Sequence, residues 1–244
     1  MGGGATGSGA TIMHPRTAVW TVDLKLPAVL TDVTPVAGHG LVYVLYDSGL
    51  AALRAASGDI VWRSQVFSPV TPLLAGDVLV ALDGRRLVGL DAATGRVRWQ
   101  HRVAGDVAEA HPTAALAAGG GAVYFACGSL LTAVQMHRGT QIWTERTAGG
   151  NTAIAVADGV LHATSDAAMV QTFDAHTGQF LWRWNTPAGQ PCAPPAAAGG
   201  IAFVCAEDGT LYAVGARQGL FGAKGAVVWS APLAGSALAA PAVV

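Results

Sequence analysis

Apolar and polar positions along the chain follow two rhythms. Runs such as "VLVAL", "AVYFAC" and "IAFVCA" are apolar throughout, whereas "RVRWQ" and "DIVWRS" interrupt apolar residues with polar ones. A short continuous apolar run is the pattern of a strand buried on both faces, and interruption marks a strand with one wet face. No segment carries an apolar stripe at helical spacing, so the pattern predicts many short strands and excludes a helical repeat.

The interrupted runs share a register. A glycine stands four residues ahead of a tryptophan at Gly58 and Trp62, Gly95 and Trp99, Gly139 and Trp143, and Gly178 and Trp182. A fifth copy, Gly219 to Trp229, reads as the same turn and strand with six extra residues, "LFGAKG", between them. Hairpin tips tolerate such insertions. With Trp20 included, the tryptophans recur after 42, 37, 44, 39 and 47 residues.

Other columns keep the same register. Five residues before each glycine stand Leu53, Leu90, Val134, Phe173 and Val214, and six before stand the small residues Ala52, Gly89, Ala133, Thr172 and Ala213. Another apolar run precedes each of these strands across a turn such as "DSG", "DG" or "EDG". A small or Pro-containing segment ("VTPVAGHG", "VTPLLAGD", "TAALAAGG", "AIAVADG", "APPAAAGG") opens each unit. Four short strands in roughly 40 residues, five times over, predict an all-β chain folded as a β-propeller of four-stranded antiparallel blades.

The predicted blades are about 25–62, 66–102, 108–146, 150–185 and 190–232. A β-sandwich does not predict a column-by-column match. The Gly-His and Trp-Asp signatures of WD-type propellers are missing, as is the longer period of kelch propellers. Residues 16–24 match an outer strand and 236–244 a first strand, so they are read as parts of an incomplete sixth blade. On that reading the chain is a fragment of a six- to eight-bladed propeller, and residues 1–15 are a flexible Gly-rich leader without the apolar core of a signal peptide.

Each glycine is expected to close the turn between third and fourth strands, where a left-handed backbone costs other residues about 1 kcal/mol. Asp91 and Asp174, with Thr94 and Thr177, are suited to bonding that turn.

The segments "GGIAFVCAEDGTLYAVGARQG", "GLVYVLYDSGLAALRAASGDIVW" and "DVLVALDGRRLVGLDAATGRVRW" resemble the pyrroloquinoline-quinone (PQQ)-like propeller repeat, over residues 16–244. The resemblance implies that Trp62, Trp99, Trp143, Trp182 and Trp229 dock between blades as structural anchors. It also implies a binding, scaffold or sensor module, of bacterial type, acting on a protein partner. The alternative it implies is a piece of a PQQ-dependent quinoprotein dehydrogenase, with PQQ and calcium as cofactors. The adjacent cysteine pair and calcium-binding carboxylates of those enzymes have no counterpart here, so no cofactor is expected under the first reading.

Composition removes several other functions. Charged residues are 12% of the chain and the net charge is -1, which leaves no basic field for nucleic acid or anionic lipid. Pro112 to Met136 has no charge, but its "AAGGGAVYFACGSL" is Gly-rich and falls in the register of two strands, so no transmembrane segment is expected. Cys127, Cys192 and Cys205 have no CxxC spacing, and Cys127 and Cys205 are expected as buried thiols.

His14, His39, His101, His111, His137, His162 and His176 show no HxH or HExxH spacing, so no metal site is expected. His39 and His111 lie near first strands and could meet a ligand in the propeller channel. No GxSxG elbow, Walker loop or dinucleotide fingerprint occurs, so no catalytic residue is named.

Overall fold

The computed structural model describes residues 20–23, 33–46, 49–103, 115–187, 189, 191, 193–219 and 222–233. Residues 1–15, His111, Cys192 and the segment 236–244 lie outside them, as do residues 16–19 and 24 of the outer strand expected over 16–24. Residues 20–23 are described but do not form a strand.

The described residues form a β-propeller of five four-stranded sheets. The first blade is β1 (Val36–Gly38), β2 (Leu41–Tyr46), β3 (Gly49–Arg54) and β4 (Ile60–Ser64). The second is β5 (Leu73–Ala75), β6 (Val78–Asp83), β7 (Arg86–Asp91) and β8 (Val97–Arg102). The third is β9 (Ala115–Gly119), β10 (Ala122–Cys127), β11 (Leu130–Gln135) and β12 (Gln141–Arg146). The fourth is β13 (Asn151–Ala157), β14 (Val160–Ser165), β15 (Met169–Asp174) and β16 (Phe180–Asn185). The fifth is β17 (Ala196–Ala198), β18 (Ile201–Cys205), β19 (Thr210–Gly219) and β20 (Gly222–Pro232). Every sheet is a meander, its strands paired antiparallel in chain order.

The first strands touch in succession, β1 with β5, β5 with β9, β9 with β13 and β13 with β17, which puts them on the axis side. Their small residues suit that crowded position. The described part of the charge-free stretch carries the strands β9, β10 and β11. Among the described residues no helix is long and apolar enough to cross a membrane.

The core lies between sheets rather than inside any one of them. One cluster joins Tyr43, Leu50 and Trp62 of the first blade to Leu79, Val88 and Leu90 of the second. The next joins Val80, Leu87 and Trp99 to Val123, Phe125 and Val134 of the third. Middle strands are therefore covered on both faces, which is why "VLVAL" and "AVYFAC" are apolar without alternation.

The fifth blade departs from its predicted form. Four of the six extra residues, Gly222 to Gly225, belong to β20, and β19 runs on to Gly219. Pairing continues from Gly215↔Ala226 to Gly219↔Gly222, so β19 and β20 project as a hairpin arm.

Candidate functional site

The recurring residues meet at the seams between blades. Trp20 Nε1 donates to the Ala55 carbonyl at 2.9 Å, Trp62 to Ala92 at 3.0 Å, Trp99 to Met136 at 2.7 Å and Trp143 to Ala175 at 3.0 Å. Each acceptor stands three residues before a glycine of the register, in the turn after the third strand. Each indole thus bonds the turn of the blade ahead of it. Burying about 200 Å² of indole contributes roughly 4 to 5 kcal/mol as an upper bound.

The glycines lie beneath those rings. Gly58, Gly95, Gly139 and Gly178 have φ of 76°, 70°, 65° and 77°, the left-handed region open to glycine. A Cβ on Gly95 would lie 2.5 Å from Trp62 Cε3, and one on Gly178 2.8 Å from Trp143 Cδ2. Gly58 faces Trp20 and Gly139 faces Trp99 in the same way.

At the fifth seam the residue under the ring is Gly225, not Gly219. A Cβ on Gly225 would lie 2.6 Å from Trp182 Cε3, while Gly219 pairs with Gly222 near the arm's tip. Gly225 stands four residues before Trp229, so the spacing used elsewhere in the chain was the signal that could have found it.

A further column escaped the sequence reading. On the second strands, Tyr43, Tyr124, His162 and Phe203 lean on the tryptophans of their own blades, with ring centroids 5.7 to 6.0 Å apart. Between ring and indole stands the small residue: Ala52, Ala133, Thr172 or Ala213 pairs with both strands. The second blade has Val80 and Gly89 in these places. Tyr43, Val80 and Tyr124 each precede their tryptophan by 19 residues, a recurrence as regular as that of the glycines.

His162 is fully buried in this row. Its Nδ1 shares a 3.0 Å hydrogen bond with Thr172 Oγ1, and its Nε2 has no partner among the described residues. Burial lowers its pKa from the ordinary histidine value to about 4, so the ring is neutral near pH 7. Thr172, the one hydroxyl in the small-residue column, stands where this imidazole needs it.

His39 is a strap between blades. With φ 54° in the turn after β1, its Nε2 donates to the Gly76 carbonyl of the second blade at 2.8 Å. Asp158 holds the same turn position in the fourth blade and accepts from Gly199 N–H at 2.7 Å. At the opposite edge of the blades, Asn151 Nδ2 donates to Gly128 and Leu130 carbonyls of the third blade.

Arg98 bridges Asp77 at 2.7 Å and Asp91 at 2.6 Å, and His137 of the next blade lies 3.7 Å from Asp77. The Arg98 hydrogen bond, followed by that from Thr94, lowers the Asp91 carboxyl to about 2. Asp91 and Asp174 each accept from the backbone N–H and hydroxyl of Thr94 or Thr177, fastening the turn. Among the described residues no three His, Cys, Asp or Glu side chains gather as a metal site would require. Cys127 and Cys205 are buried, which raises the Cys127 thiol pKa.

One groove opens where the chain departs from its repeat. It has a volume of about 350 Å³ and is lined by Arg183, Trp184 and Asn185 of β16 and Lys224 and Gly225 of β20. Trp184 is half-buried, its ring 5.2 Å from that of Tyr212. Arg183, Asn185 and Lys224 are exposed.

A family model described as the outer membrane protein assembly factor BamB matches residues 12–154, 128–221 and 168–244. No curated protein matches the chain. Among solved structures, the computationally designed Ika8 protein is similar at 14% identity and a TM-score of 0.66, over 85% of this chain and 64% of that one. Quinohemoprotein alcohol dehydrogenase from Comamonas testosteroni is similar at 14% identity and 0.58, over 75% of this chain and 41% of the enzyme. BamB from Moraxella catarrhalis shares 18% identity at 0.48, over 84% and 76% of the two chains. The chain spans less than two thirds of the designed protein and of the dehydrogenase, and at these identities the likeness is one of fold.

Proposed function

We propose, from the premise that this chain belongs to the PQQ-like propeller family described as the outer membrane protein assembly factor BamB, that it is a non-catalytic scaffold that binds a protein partner. The observation that carries this reading is a division of labour within the chain. Repeated tryptophans and glycines are taken up in holding blade to blade. The groove beside Trp184, in contrast, lies where the lengthened arm of the fifth blade, the unit that breaks the repeat, meets the last strand of the fourth.

Two measurements test it. Purified protein given PQQ, calcium and a primary alcohol is expected to show no dye reduction; turnover would overturn the scaffold reading in favour of a dehydrogenase fragment. The tagged chain, expressed in its own host, is expected to retain a protein partner in fixed stoichiometry through gel filtration.

A further inference from the structure

We infer that the groove between β16 and β20 binds an acidic polypeptide segment that carries an aromatic or aliphatic anchor. The inference rests on the scaffold reading and gives the partner its chemistry.

The groove's charge is one-sided. Arg183 and Lys224 are the charged residues of its lining, and no carboxylate lines it. Neither cation has an ion-pair partner among the described residues, whereas Arg98 and Arg86 are held by aspartates and Arg63 lies over the Tyr46 ring. Two unpaired cations beside a low-dielectric wall attract a carboxylate-bearing ligand.

Its wall is amphipathic. Trp184 is steadied on one side by Tyr212 and remains partly open, a rigid surface for an apolar or aromatic side chain. A volume of about 350 Å³ is at the lower end of ligand sites, suited to a short segment rather than a large cofactor.

A polypeptide fits better than a saccharide because β16 is the last strand of its sheet. Its outer edge has no strand neighbour within the sheet, and an extended peptide can add there through main-chain hydrogen bonds, its alternate side chains set against Trp184 and the cations. The Asn185 amide, on the same strand, can both donate to and accept from a peptide group.

The lengthened hairpin makes the site. It brings Lys224 beside β16, and Gly225 lets the arm lie against Trp182 and the Cβ of Trp184, where a Cβ of its own would stand 2.6 Å from each. The corresponding hairpins of the other four blades end without this extension.

The test uses a fluorescein-labelled hexapeptide of alternating glutamate and phenylalanine, its lysine counterpart, and a heparin-derived tetrasaccharide, followed by anisotropy with the whole chain. The glutamate peptide is expected to bind saturably and more weakly as salt rises. The double variant Arg183→Glu, Lys224→Glu is expected to weaken it roughly tenfold or more with an unchanged melting curve, because both side chains are exposed. Trp184→Ala is expected to weaken it as well. Absence of saturable binding, equal binding of the lysine peptide, wild-type affinity in the charge-reversed protein, or binding of the tetrasaccharide alone would each overturn the inference. Such a failure leaves the scaffold reading standing so long as PQQ and calcium produce no dye reduction; turnover in that assay would remove the scaffold reading itself.

Discussion

Gly95 lies against the indole of Trp62, the tryptophan of the preceding blade, and not against Trp99, four residues ahead of it in the sequence. The spacing that makes the repeat visible thus joins two residues that serve different seams. Gly95 receives the blade behind it, and Trp99 reaches Met136 of the blade ahead.

Gly95→Ala meets two obstacles, a φ of 70° and the Trp62 ring 2.5 Å from the added carbon. Their combined cost is about 2 to 4 kcal/mol. The melting temperature should fall by roughly 5 to 15 °C. Gly84→Ala, at φ 58° with nothing within 4 Å of its added carbon, meets only the backbone term and should fall by a few degrees. Equal losses in a differential scanning experiment would refute the ring contact as a source of stability.

The tryptophans of the register are not equivalent. Trp99 is 7% exposed and Trp229 is 44% exposed, its ring leaning on Phe203. Trp99→Ala is expected to lose about 3 to 5 kcal/mol, and Trp229→Ala less than half as much. Chemical denaturation of the two variants side by side checks the order.

His162 makes the fold sensitive to acid. Its native pKa of about 4 lies below the ordinary value, so the unfolded chain takes up a proton that the native chain refuses. The stabilising effect of neutral His162 is complete above about pH 6.5, and it declines by roughly 1.4 kcal/mol per pH unit down to about pH 4. The double variant His162→Phe, Thr172→Ala reproduces the Phe203 and Ala213 row of the fifth blade. Urea midpoints between pH 7 and 4.5 should fall less steeply for that variant; parallel slopes would refute the assignment.

Asp91→Asn should loosen its turn by weakening the bridge to Arg98 and the bonds from Thr94. Because the carboxyl is held at about 2, the native turn keeps its charged form down through pH 4 and loses this stabilisation between about pH 4 and 2. Acid titration of the variant should show a shallower decline over that interval.

The fold was largely legible because every blade repeats the same demands. A strand covered on both faces must be apolar throughout, and a left-handed turn under an indole excludes a side chain, so the columns survive substitution elsewhere. Gly219 ends the third strand of its blade, pairing with Gly222, but the position under Trp182 is fixed by the ring, and Gly225 keeps it. The second-strand rings were hidden because tyrosine, histidine and phenylalanine share a shape rather than a letter. The groove was not legible at all, since Trp184, Tyr212 and Lys224 come together only through the path of the lengthened arm.

The indoles of Trp20, Trp62, Trp99 and Trp143 each donate to a carbonyl 30 to 37 residues further along the chain. During synthesis, then, a blade whose own strands have all emerged still holds its largest side chain without a seat, until the next turn leaves the ribosome. Each of the first four blades is finished by the next, so folding should advance from the N-terminal end with one uncovered tryptophan carried at the growing edge, the species that a holding chaperone would meet.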